Sequence, residues 1–135
     1  MVLPYTICYI SKSKDSLSEK DIKEILEHAL VENNRCEVSG VLLHSLGSFF
    51  QVLEGNKEHV QALYKNILDD DRHYDIFEVY NKSSAKPVFM EYESNFHLVT
   101  SNETLDQIRK YLNEHKTSST SEKLTRLLKP FIFFD

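Results

Sequence analysis

Residues 48–55, SFFQVLEG, place Phe49, Gln51 and Leu53 on one side of an extended chain, while Phe50 and Val52 make the other side apolar as well. A strand that is bulky and apolar on both faces must be covered from above and below, so it belongs inside a sheet with a layer on each side. The preceding run VSGVLLHS is also apolar and is separated from it by a few residues including Gly47, the pattern of an antiparallel hairpin.

The rest of the chain alternates element types. PYTICYIS, β-branched and aromatic, predicts a first strand over Pro4 to Ser11, with the polar SKSKDS as its exit loop. Ser18 and Asp21 have capping-box spacing, and Ile22, Ile25, Leu26 and Ala29 then share one face of a helix that reaches the neighbourhood of Asn33. Asn56 caps a second helix carrying Val60, Leu63, Tyr64 and Ile67, and an acidic run leads from it to Arg72 and His73. YDIFEVYN reads as a fourth strand, a loop with Pro87 follows, and SNFHLVT reads as a fifth. A helix from about Glu103 to His115 presents Leu105, Ile108 and Leu112; KTSSTSEK then reads as a polar hinge before the apolar LTRLLKPFIFFD. The order is βαββαβ, an α+β ferredoxin-like sandwich with an added fifth strand and C-terminal helices. Residues 1–99 are expected to form one folded unit, and 100–135 a helical extension packed on the open sheet face or on a partner.

Composition excludes several classes. At 135 residues a single domain buries about two thirds of the surface its unfolded chain exposes. A net charge of -5 without a basic stretch argues against nucleic acid. No apolar run approaches the roughly 20 residues that span a bilayer, and the N-terminus lacks a basic segment followed by a long apolar one, so a cytoplasmic protein without a membrane partner is expected. Cys8 and Cys36 have no CxxC spacing and read as two reduced thiols.

Gln51 is the anomaly in this pattern. A buried primary amide costs about 1–3 kcal/mol if unpaired, so it needs partners. Tyr9 shares a face with Tyr5 and Ile7 on a central strand, and Asn33 continues the apolar face of the first helix. Each of the three, taken alone, reads first as a structural group satisfied by backbone or water, with Asn33 ending its helix. Their convergence on one interior site argues against that reading.

ICYIS, ENNRCEVSGVLL, SFFQVLEG and ILDDDRHYDIFEV together resemble the BLUF domain, the blue-light sensor using flavin, over roughly residues 4–99. FFQVLEG followed by the Asp-x-Arg-His of DDRH is the most specific part. The resemblance implies that Gln51 is the switching glutamine between the flavin and Tyr9, that Asn33 holds the flavin's carbonyl edge, and that Ile25 and Phe49 line the ring. It implies that Arg72 and His73 contact the cofactor; helix C-terminal capping is the alternative for that pair. Tyr9 would donate an electron and then a proton, leaving the hydrogen bonds of Gln51 rearranged and the flavin unconsumed.

The cofactor so implied is FAD, with FMN or riboflavin open, and the function is a non-enzymatic photoreceptor. It would signal through the C-terminal segment to a downstream protein partner or a homo-oligomer. The competing reading is a light-insensitive ferredoxin-like interaction module. A small hydrolase using Arg72 and Asn33 lacks a Gly-rich loop to hold phosphate. The sequence departs from the family where a tryptophan and a methionine commonly precede the fifth strand: Tyr92 and Ser94 stand there, Met90 is out of register, and Val88 replaces a basic residue. These departures fall on the segment through which the family transmits its signal, and Tyr92 becomes a candidate second electron donor.

Overall fold

The hydrophobic periods give nine elements in the computed structural model, which describes residues 3–83, 85–90, 92, 95–115 and 119–133. They are β1 (Tyr5–Ser13), α1 (Glu19–Arg35), β2 (Ser39–Ser45), β3 (Ser48–Gly55), α2 (Lys57–Asp69), β4 (His73–Ser83), β5 (Phe96–Leu98), α3 (Asn102–Glu114) and α4 (Ser119–Leu128). The sheet order is β4-β1-β3-β2-β5. The first four strands pair antiparallel, as the ferredoxin-like order requires, and β5 adds parallel to β2. β1 and β3 are therefore interior strands, and residues facing the helices from them are buried.

Local chemistry sets the ends of these elements. Ser18 and Asp21 exchange reciprocal bonds at the start of α1, Asp21 N donating to Ser18 Oγ (3.1 Å) and Ser18 N to Asp21 Oδ2 (2.9 Å). Asn56 Oδ1 accepts from the amides of Glu58 (2.9 Å) and His59 (3.2 Å), opening α2. Between β2 and β3 the chain reverses in two residues, Leu46 (φ 55°) and Gly47 (φ 76°), the left-handed pair of a type I′ turn. Gly40 (φ 135°) is required by contact: a Cβ there would lie 1.9 Å from the Val52 carbonyl oxygen on β3.

Each face of the sheet carries its own core. Ile7, Phe49, Leu53 and Phe96 pack with Val60, Leu63 and Tyr64 of α2 and with Ile22, Ile25 and Leu26 of α1. On the other face Cys8, Val41, Leu43, Phe50 and Val52 meet Leu105, Ile108 and Leu112 of α3, Leu124 and Leu128 of α4, and Phe131. Leu124, Leu128 and Phe131 of the C-terminal segment thus find cover within their own chain, while Ile132 is exposed. Both cysteines are free thiols.

Two boundaries differ from the sequence reading. β1 continues past Ser11 to Ser13, because Lys12 pairs with Ser48 and Ser13 N donates to Gly47 O (3.0 Å); an outward polar side chain does not end a ladder. The pairing of β1 with β4 shifts register twice, between Cys8 and Tyr9 and between Ile10 and Lys12, and Asp75 on β4 has φ 50°. The polar hinge is in large part helix: α4 starts at Ser119, since Ser121, Leu124 and Leu128 recur on one buried face. Lys116, Thr117 and Ser118 of that stretch, and Ser94, lie outside the described residues.

Candidate functional site

Between α1, α2 and the sheet lies a cavity of about 520 Å³, within the roughly 300–1,000 Å³ of small-molecule and cofactor sites. Tyr9, Ile25, Asn33, Phe49, Gln51, Arg72 and His73, all seven residues singled out in the sequence, line it.

Gln51 sits at its floor. Antiparallel register sets it directly opposite Tyr9 on β1 and Leu42 on β2, and it is 2% exposed. Gln51 Nε2 donates to the Tyr9 hydroxyl oxygen (2.5 Å), and Asn33 Nδ2, from the last turns of α1, donates to Gln51 Oε1 (3.2 Å). Asn33 therefore does more than end its helix, which runs on to Arg35. The phenol oxygen is the acceptor in this chain, so its own proton remains to be given. Turning the Gln51 amide exchanges its donor and acceptor ends: Tyr9 O–H then donates to Oε1, and Nε2 donates to Asn33 Oδ1 once that amide turns too. Two arrangements of one network satisfy the same groups without moving the backbone.

Burial pushes the Tyr9 phenol well above its usual range, and the Gln51 bond opposes that only in part, so Tyr9 is a neutral phenol at physiological pH. The ring of Tyr64 lies 5.8 Å away, its hydroxyl donating to Glu78 Oε2 (3.0 Å).

His73 both walls the cavity and ends α2. Its Nε2 lies 2.7 Å from the Ile67 carbonyl and its Nδ1 2.7 Å from Ser11 Oγ, which fits the tautomer with Nε2–H donating and Nδ1 accepting. Its ring stands edge-on to Phe49 at 6.2 Å. The capping alternative is thus met by His73 without removing it from the cavity. The Arg72 guanidinium instead grips Asp70, with Nε 2.9 and 3.1 Å from the two carboxylate oxygens and Nη2 2.6 Å from Oδ2. That bond holds the Asp70 carboxyl below the usual range.

The sequence reading did not include the mouth of the cavity, where His28, Glu32, Asn66, Asp69 and Asp70 add polar lining. The signal was available: these residues border the Ile25–Ala29 and Leu63–Ile67 stripes at helical spacing. Tyr92, by contrast, does not line the cavity. It packs beneath the sheet, its ring 4.6 Å from Tyr111 of α3 and 6.4 Å from Phe89. Met90 precedes β5 in a turn and is exposed. Among the described residues no group of side chains forms a metal site, and no helix is long and apolar enough to cross a membrane.

Residues 5–95 match the family described as sensors of blue-light using FAD. The chain belongs to the BLUF family. Members of this family are flavin-binding blue-light sensors, and the cavity suits such a group: apolar walls from Ile25, Phe49 and Leu63 flank one polar edge made by Asn33, Gln51 and Tyr9, which matches a flat heteroaromatic ring with a carbonyl and ring-nitrogen edge. The BLUF chain is similar to the blue light- and temperature-regulated antirepressor BluF of Escherichia coli, 39% identical over 74 residues that make up 55% of this chain and 18% of that protein. Among solved structures it resembles the BLUF domain of BlrP1 (Klebsiella pneumoniae), with a TM-score of 0.72 at 26% identity, covering 98% of this chain and 91% of that one. BlsA in its photo-activated state matches with a TM-score of 0.68 at 25% identity over 98% of this chain and all of that one. The chain thus spans under a fifth of the BluF antirepressor but the full length of BlsA.

Proposed function

We propose that this BLUF domain is a photoreceptor without enzymatic turnover, holding FAD in the cavity between α1 and α2, with FMN and riboflavin as competing occupants. The observation that carries the reading is the bond chain Asn33–Gln51–Tyr9 on the cavity floor. Asn33 and Gln51 would meet the polar edge of the ring, Ile25 and Phe49 its faces, and Arg72 and His73 its approach from the end of α2. A bound flavin supplies blue-light absorption and an excited state able to draw an electron from a neighbouring phenol.

Tyr9 is the neutral phenol in position to give that electron and its proton. Gln51 turns its amide between the two arrangements, and Asn33 turns with it. The changed pattern is read by the sheet and by residues 100–135, of which α3 and α4 cover the face opposite the cavity of residues 1–99, and the signal passes in the cytoplasm to a protein partner or to a second copy. An absorption spectrum in darkness and after blue light tests this. The expected result is a flavin spectrum that shifts to the red and recovers in the dark; a protein that refuses added FAD, FMN and riboflavin would leave Tyr9, Gln51 and Asn33 as a structural network and return the chain to an interaction module.

A further inference from the structure

Glu54 lies on β3 three residues beyond Gln51 and on the opposite face of the sheet, fully buried among apolar side chains. Burying a carboxylate is unfavourable unless donors converge on it. They do here: Oε2 accepts from Thr6 Oγ1 (2.8 Å) and the Val88 amide (2.9 Å), and Oε1 from the amides of Phe89 (2.7 Å) and Met90 (2.8 Å). Three consecutive backbone N–H groups close around one anion, the nest geometry that binds carboxylates and phosphates. The far side of the same segment is held by α3, where Tyr111 donates from its hydroxyl to the Val88 carbonyl (2.7 Å) and packs its ring at a tilt against Tyr92. Residues 88–90 have no strand pairing of their own; Glu54 and Tyr111 hold them from two sides.

We propose that Glu54 is a positioning residue that makes segment 88–90 the mechanical link between β3 and α3. β3 is an interior strand paired along its length on both sides, so a displacement produced at Gln51 reaches Glu54 through a stiff element. Charge-assisted bonds hold the segment to that strand more firmly than neutral ones would. Tyr111 then passes its position to α3. The proposal rests on the photoreceptor reading for its light-dependent half only.

The test is amide-resolved hydrogen exchange on flavin-loaded wild type, Glu54→Gln and Tyr111→Phe, dark and illuminated, with the flavin spectrum recorded alongside. Glu54→Gln keeps the shape but offers a single acceptor oxygen. In the dark it should speed exchange at residues 88–90 and in the α3 turn around Tyr111 by about tenfold or more, with Tyr9 and Gln51 amides unchanged. On illumination it should keep the red shift and lose the light-induced exchange change of α3. Tyr111→Phe should leave residues 88–90 protected in the dark and also lose the α3 response. Unchanged exchange at 88–90 in Glu54→Gln, an α3 response as large as in wild type, or acceleration spread evenly over all strands would overturn the proposal. A wild type with no red shift defeats the photoreceptor reading alone, and the dark comparison then decides the role of Glu54.

Discussion

Tyr9 and Gln51 face each other as Cα partners across β1 and β3, with the amide nitrogen of one 2.5 Å from the phenol oxygen of the other. Sheet register fixes this contact: a one-residue slip of either strand would send one side chain to the opposite face and separate the pair.

Gln51→Leu removes both halves of the amide while keeping its bulk, leaving Tyr9 and Asn33 each without a buried partner. Unfolding free energy should fall by about 1–3 kcal/mol, and the light-induced red shift should vanish with flavin still bound. Urea titration and a light-minus-dark difference spectrum check the two effects separately.

Tyr9→Phe removes the electron and proton donor but leaves the ring packed against Tyr64. The expected outcome is flavin binding within a few-fold of wild type and no red shift. Retention of the full shift would transfer the donor role to another side chain.

His73→Ala should weaken two things at once, since the imidazole closes the carbonyl end of α2 and walls the cavity. A stability loss of about 1 kcal/mol from the lost buried bonds is expected, together with weaker flavin binding by calorimetry.

Acid should loosen the cavity mouth through Asp70. Its carboxyl is depressed by the Arg72 bond, so folding is favoured by that bond above the ordinary carboxylate pKa of about 4 and loses the contribution as pH falls through the lower folded value. The pair is partly exposed, so the effect is under about 1 kcal/mol. Asp70→Asn should flatten this part of the stability profile between about pH 5 and 2, as followed by chemical denaturation at each pH.

Leu46→Gly relieves a branched residue held at φ 55° in the hairpin turn, where its side chain is exposed and little packing is lost. A gain of about 1 kcal/mol in unfolding free energy is expected, read as a higher denaturation midpoint, with the flavin site unaffected.

What the sequence revealed of this fold came from periodicity and local caps. Ser18, Asn56 and the two hairpin strands each specify their element from a few neighbouring residues, and period two on β1 and β3 places Tyr9 and Gln51 on one face. Less legible was whatever depends on long-range partners. The extension of β1 to Ser13 is decided by β3 and β4, and the helical start of the Ser/Thr-rich stretch by the core that receives Ser121 and Leu124. Nothing local marks Glu54, near the end of its strand, as special; only the fold brings the amides of residues 88–90 to it across more than thirty positions of sequence. The same holds for Tyr92, whose place beside Tyr111 follows from how α3 crosses beneath the sheet.

One of the two edge strands, β4, leaves a row of backbone donors and acceptors along one side, and it exposes Tyr74 and Phe77. Such a border is a template on which another chain can polymerise. The left-handed kink at Asp75 and the two breaks in pairing with β1 bend that border out of the flat geometry that templating requires, and Asp75, Glu78 and Lys82 add charge along it. The irregularity of β4 thus works against edge-to-edge pairing with a second copy.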